Sequence, residues 1–392
     1  MNKKILILNG SHSEIPLINA AKNLDYKVIT AGNDPSLPGH KYADEYCNED
    51  FSDKEAVLSL AVDLGIDAIC SPANDFGALT AAYVAEALNL PGHDTYETAL
   101  TLHHKDRFKI FTEKHDFPSP RAKSFSGSDK AIRFVEDLEL PLIVKPVDLT
   151  GGKGVSVIHE NKQALQAVRS ALSMSRVGRI VVEEYFDGTL HSFSSFIVNG
   201  EVTFYFSDNE YSYINPYLVT TSAAPATNID RFATRLIQSV EYISKVLGLV
   251  DGVVHIQYLA DGDSFSIIEI TRRCSGDLYP YPVSMACAVD WGEVIVKAEA
   301  GWEATNLTES RQRGFVGRHC LMSEGNGVIK DIFISDKIRS YIVDKYLWRN
   351  KGDLIGDFMS TKIGVLVLSY PSIDEMEDIT ANISSHVRID VR

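Results

Sequence analysis

The side chains best suited to chemistry fall in one stretch, residues 253–276, where Gln257 and Glu269 flank an Asp-Gly-Asp-Ser turn at 261–264. The runs 253–259 and 265–271 are rich in β-formers, and a polar Gly-containing turn between two such runs predicts a hairpin. With Leu259 facing Ile267, the register sets Gln257 opposite Glu269 and His255 opposite Thr271. Alternation then puts these odd-numbered residues, with Arg273 beyond them, on one face. Directly opposed Cβ atoms stand about 5 Å apart, so an amide oxygen and a carboxylate converge on a small volume. A pair of hard oxygens with room for water and phosphate is what Mg²⁺ accepts when a nucleotide supplies the other ligands. A hairpin whose polar face is merely wet fits the same pattern. The cationic exit through Arg272, Arg273, Ser275 and Gly276 argues for an anionic substrate beside the metal.

A second group lies upstream. Residues 145–157 read Lys-Pro-Val-Asp-Leu-Thr-Gly-Gly-Lys-Gly-Val-Ser-Val, with Gly151, Gly152 and Gly154 between two β-rich runs. Glycines there let backbone N–H groups approach phosphate oxygens, and Lys145 and Lys153 bracket the loop with positive charge. A G-x-x-x-x-G-K-[ST] loop is absent and the segment leads into a strand, so the reading is a β-hairpin flap, not a P-loop. Glycines that serve turn geometry alone read the same way. Lys105 starts a helix. Residues 179–188 form a strand end at which Glu183 or Glu184, beside Tyr185 and Phe186, could accept from an adenine amino group or ribose hydroxyls. His191 opens the next strand, where a phosphate contact and a structural histidine are both consistent with the pattern.

Positioning these groups takes several layers. Residues 1–100 alternate strand and helix signals, which predicts a doubly wound parallel βα domain. The turn after its first strand is Asn9-Gly-Ser-His, not G-x-G-x-x-G, so no dinucleotide is expected there. Residues 101–313 form an α+β core with a flap region at about 120–180, and residues 314–392 a small α+β cap. The 208–225 stretch, with Tyr211, Tyr213, Tyr217 and Ser222, is irregular enough to shape an acceptor site. At 392 residues the chain needs more than one core. A net charge of −15 argues against a broad nucleic-acid face. Five scattered cysteines without a C-x-x-C pair suit reduced thiols in the cytoplasm, and no apolar run reaches membrane-spanning length.

The order of these features resembles the ATP-grasp superfamily over nearly the whole chain, amino-acid ligase-like members above all, which are related to the carbamoyl-phosphate synthetase and biotin carboxylase branch. The resemblance implies a two-subdomain core with ATP between the halves. A carboxylate is phosphorylated to an acyl phosphate and coupled to an amine, releasing ADP and phosphate. It assigns Lys105 and Lys145 to the phosphates and Gly151, Gly152, Lys153 and Gly154 to the flap. Glu183, Glu184, Tyr185 and Phe186 go to the nucleotide, Gln257 and Glu269 to Mg²⁺ or Mn²⁺, and Arg273 to the anionic substrate; from the residues themselves His191 is added to the nucleotide set and the Thr271 hydroxyl to the metal set. Lys145, Glu269 and Arg273 are the catalytic set, and a homodimer is the implied assembly. One departure stands out. The family pattern E-x-N-x-R reads here Glu269-Ile-Thr271-Arg-Arg273, which puts a second metal in question. A bicarbonate-phosphorylating carboxylase and a non-catalytic ATP-binding module are the alternative readings.

Overall fold

The computed structural model describes residues 3–303, 307 and 311–392. The chain begins with β1 (Lys4–Leu8), α1 (Ile15–Asn23), β2 (Lys27–Gly32), β3 (Glu45–Asn48), α2 (Lys54–Leu64), β4 (Ala68–Cys70) and α3 (Asp75–Leu88). The strands form a parallel sheet in the order β3-β2-β1-β4. Ile5 and Ile7 enter one core with Leu17 and Ile18 of α1, while Leu6 and Leu8 enter another with Val57 and Ala61 of α2. Helices therefore cover both faces, as the unbroken apolar run of β1 requires. Sequence reading missed β3, a half-exposed edge strand without an apolar run.

Next come α4 (Tyr96–His103) and α5 (Lys105–Lys114), parted by His104 in an extended conformation. The helix expected to carry Lys105 is α5, with Lys105 at its first position, and α4 before it went unread in the sequence. The flap region follows as β5 (Ala122–Phe125), α6 (Ser128–Glu136), β6 (Leu142–Pro146), β7 (Ser156–Ile158), α7 (Ala164–Met174) and β8 (Ile180–Glu184). Its four strands pair antiparallel in the order β5-β8-β6-β7, and α6 and α7 share a core with them.

The large sheet contains β9 (Thr189–Val198), β10 (Glu201–Tyr211), β11 (Thr221–Ala224), β12 (Gly252–Asp261) and β13 (Ser264–Thr271), with α8 (Ile229–Leu247) packed behind. After α9 (Pro280–Cys287) and α10 (Trp291–Glu299) it continues through β14 (Phe315–Leu321). The chain then runs β15 (Gly327–Ile334), α11 (Asp336–Arg339), β16 (Ile342–Leu347), β17 (Leu354–Ile355), β18 (Gly364–Tyr370), α12 (Ile373–Ala381), α13 (Ile383–His386) and β19 (Val387–Val391). The eight-stranded order is β13-β12-β9-β10-β11-β14-β18-β16, so strands from beyond residue 314 extend the sheet that carries Gln257 and Glu269. β17, β15 and β19 form a separate three-stranded layer.

One face of this sheet changes character along its strands. Phe204 and Phe206 give way to Asp208 and Glu210 on β10, Phe196 to Ser194 and Ser192 on β9, and Val253 to His255 and Gln257 on β12. The apolar half packs on Tyr279, Val283 and Trp291. The polar half is what remains for a site.

Candidate active site

The hairpin is built largely as the alternation predicts. Gln257 pairs with Glu269 and His255 with Thr271. The expected Leu259–Ile267 pair is not formed. Tyr258 faces Ile267 and Leu259 faces Ser266, because β13 bulges at Ile268. The bulge absorbs one residue between the turn and the site, so both halves of the hairpin keep apolar side chains inward.

Lys105 ties this hairpin to the flap. Its Nζ lies 3.1 Å from Glu269 Oε1 and 2.9 Å from the Leu149 carbonyl at the flap base. Burial alone would lower the Lys105 pKa, but the Glu269, Asp75 and Glu183 carboxylates together outweigh it and hold the ammonium above its ordinary value. Lys145, on β6, lies 3.0 Å from Glu183 Oε2, and Lys109, one turn beyond Lys105 on α5, lies 3.4 Å from the same oxygen. Glu183 is only 1% exposed. Its burial is overcome by the two lysines, which keep the carboxyl below its usual range, while burial drops Lys109 to about 8 because one carboxylate serves two ammonium groups. Glu183 Oε1 has no hydrogen-bond partner. The side chain expected to meet adenine or ribose thus anchors the two lysines and keeps one acceptor free. Glu184 is half-buried against Arg121, and Tyr185 is exposed.

His191 does not join the group. It pairs with Tyr258, one position out of step with Ser192 and Gln257, so its ring lies on the opposite face, stacked on Tyr258 with centroids 5.2 Å apart. The sequence reading placed it beside the nucleotide; the pleat turns it into the α8 core.

Arg273 is steered from the N-terminal domain. Its Nε donates to Asp75 Oδ1 at 2.5 Å, and His103 Nδ1 sits 2.9 Å from the same oxygen. Arg272 is structural, clamped by Asp94 and the carbonyls of Val250 and Val253. In the flap, Gly151, Gly152 and Gly154 all have positive φ, and Lys153 is exposed. Thr271 is 3% exposed and its hydroxyl has no partner.

Two acids that sequence reading passed over complete the face. Gln257 Nε2 donates to Glu210 Oε2 at 2.6 Å, and Asp208 accepts from Ser192 Oγ. Burial, then the nearby Asp208, pushes Glu210 up to about 8. An approaching cation would remove that penalty. Among the described residues no three His, Cys, Asp or Glu side chains gather as a metal site. Gln257 and Glu269 therefore offer two protein oxygens, the donor set expected for a divalent cation whose remaining ligands are water and phosphate.

A two-subdomain core with Lys105, Lys109 and Lys145 gathered between the flap and the hairpin, behind a parallel βα domain, is the arrangement that the resemblance to ATP-grasp proteins implies. Residues 103–215 match the family described as "Phosphoribosylglycinamide synthetase, ATP-grasp (A) domain". The carbamoyl phosphate synthase large chain of Clostridium acetobutylicum is 21% identical over 65% of this chain and 24% of its own length. The phosphoribosylamine–glycine ligase of Methanocella arvoryzae is 23% identical over 69% of this chain and 67% of its own. The chain thus spans about a quarter of the first relative and two thirds of the second. The crystal structure of an L-amino acid ligase from Bacillus licheniformis superposes with a TM-score of 0.83 at 20% identity, covering 100% of this chain and 99% of that one. Residues 103–215 thus carry an ATP-grasp domain, and the chain as a whole shares its fold with ATP-grasp ligases.

Proposed function

We propose that the protein is an ATP-dependent carboxylate–amine ligase acting on amino-acid-like substrates. The observation that carries this reading is the junction at Lys105, where one ammonium touches both the flap base and Glu269. ATP's phosphates, the flap and the hairpin would meet at that point. Attack of a carboxylate oxygen on a γ-phosphate brings two anions together, so catalysis needs neutralised charge and in-line placement more than a general base. Lys105, Lys145 and Lys153 would hold the phosphates, and Glu183 Oε1 would accept from the nucleotide. Gln257 and Glu269, with Thr271 beside them, would hold Mg²⁺ or Mn²⁺. The bound cation supplies charge neutralisation between the phosphates. Arg273, fixed by Asp75, would steady the anionic substrate, and the flap would keep water from the acyl phosphate. The amine then displaces phosphate from the acyl carbon.

Cytoplasmic action fits five unpaired cysteines, and no helix among the described residues is long and apolar enough to cross a membrane. A homodimer belongs to the proposal on resemblance alone. The test is ADP release on screening carboxylates with amines, with Glu269→Ala as control. ADP formed on bicarbonate alone would shift the assignment to a carboxylase. Nucleotide binding without turnover on any pair, unchanged in Glu269→Ala, would reduce the protein to a binding module and end the ligase reading.

A further inference from the structure

The amide of Gln257 sits between two carboxylates on the same sheet face: Glu269 on the adjacent strand β13, and Glu210 two strands away on β10. The strand between β12 and β10 places Ser192 under the bridge, opposite Gln257 on one side and Asp208 on the other. Ser192 is fully buried and its hydroxyl is turned to Asp208, so nothing stands between the longer Gln257 and Glu210 side chains, which meet above it at 2.6 Å. It is the Gln257 nitrogen that faces Glu210, donating to its Oε2. A planar amide that commits its nitrogen toward β10 presents its oxygen toward β13, where Glu269 waits.

We propose that Glu210 is the positioning residue of the cation site, locking the Gln257 amide with its oxygen toward Glu269 and, once a cation is bound, carrying one layer back the negative charge that a carboxylate at position 257 would have supplied. The inference rests on Gln257 and Glu269 being the metal ligands. It goes beyond that assignment because it makes the 210/257 pair a unit in which acid and amide are exchangeable. Outer partners that orient a ligand through a hydrogen bond typically change metal affinity 10–100-fold when removed. Glu210→Gln sets two amides face to face and removes the charge. Gln257→Glu sets two carboxylates face to face. The double exchange Glu210→Gln/Gln257→Glu restores one acid and one amide at the same distance, with total charge unchanged.

The experiment is Mn²⁺ binding to the full chain in the presence of ADP, read by electron paramagnetic resonance of free Mn²⁺, with thermal unfolding of each variant as a check on folding. Each single substitution is expected to weaken Mn²⁺ binding at least about 10-fold, and the double exchange to return it to within about 3-fold of the parent. Glu210→Gln binding like the parent overturns the proposal. So does a double exchange no better than the weaker single variant, because charge alone or packing alone would then explain the losses. If Glu210→Gln does not fold, the Gln257→Glu and double-exchange comparison decides on the same criterion. Glu269→Ala separates the levels. If that variant keeps full affinity, the ligand assignment itself fails. If it loses affinity while Glu210→Gln keeps it, only the positioning role is lost.

Discussion

Lys109 does more to hold Glu183 than its place inside a helix suggests. It lies four residues from Lys105 on α5, is 4% exposed, and shares Glu183 with Lys145. With its pKa lowered from 10.5 to about 8, the folded state gives up this proton before the unfolded state does. Between those values the unfolded chain binds more protons, so this group's contribution to stability rises with pH across the window and is least favourable below it. Relative to Lys109→Met, the parent should gain about 3 kcal/mol of unfolding free energy from pH 8 to 10.5, as chemical denaturation at several pH values would show. Parallel profiles for the two proteins would mean that Lys109 holds its proton as firmly in the fold as in the unfolded chain. Lys105→Met, which strips Glu269 of its cation, should lower kcat/KM for ADP release by about 10²–10³-fold while leaving the fold intact. The i,i+4 spacing of Lys105 and Lys109 was readable, since it puts both on one helical face. The acid that Lys109 shares with Lys145 was not, because Glu183 comes beside Lys145 only through the pairing of β8 with β6. Glu210 was hidden for the same reason: its partner lies 47 positions away, across an intervening strand.

The elements were legible where a pattern is local and lost where two patterns compete. Alternation in β12 and β13 fixed the Gln257–Glu269 pair, yet the bulge at Ile268 has no signature in a run as uniform as Ser-Phe-Ser-Ile-Ile-Glu. His191 sits at a strand start whose face depends on register with β12, and a one-residue offset reverses the side chain. The flap glycines read correctly as a turn, and their structure separates two roles. A Cβ on Gly152 would come within 2.5 Å of Tyr217 Cβ and 2.6 Å of the Tyr217 carbonyl, whereas one on Gly151 would meet only Leu218 Cδ1 at 3.5 Å. Both have positive φ, so both alanine variants bear similar backbone strain, about 1 kcal/mol. Only Gly152→Ala should also lift the flap off the 212–220 loop. Its KM for ATP should rise at least 10-fold above that of Gly151→Ala, at an unfolding temperature matching that variant's, in steady-state kinetics paired with calorimetry. Equal KM values would show that the flap does not close against Tyr217.

At the scale of the whole molecule, the N-terminal domain, the core and the C-terminal strands meet at Asp277. His12 Nε2 from the loop after β1 lies 3.6 Å from it, Arg318 of β14 lies 3.5 Å away, and Lys362, just before β18, donates to it. His12 is also stacked on Trp348, with ring centroids 3.7 Å apart. Asp277 and Leu278 both adopt positive φ, an arrangement a leucine tolerates only when its surroundings enforce it. Burial opposes ionisation of Asp277, but Lys362, His12 and Arg318 hold its carboxyl far below the ordinary 3.8. A depressed folded pKa makes this contribution full above pH 3.8 and lost only as pH falls through the lower folded value, so mild acid should leave the junction closed. Asp277→Asn keeps the shape and removes the charge, leaving two buried cations uncompensated, and should cost about 3–5 kcal/mol in denaturant unfolding at pH 7. Removing one of those cations as well, in Asp277→Asn/Lys362→Met, should return about 1–3 kcal/mol of the loss. A double variant no more stable than Asp277→Asn would place the cost in the strained turn instead of in the ion pairs. The three layers would then be held at this point by the His12–Trp348 stack and backbone contacts, with charge incidental.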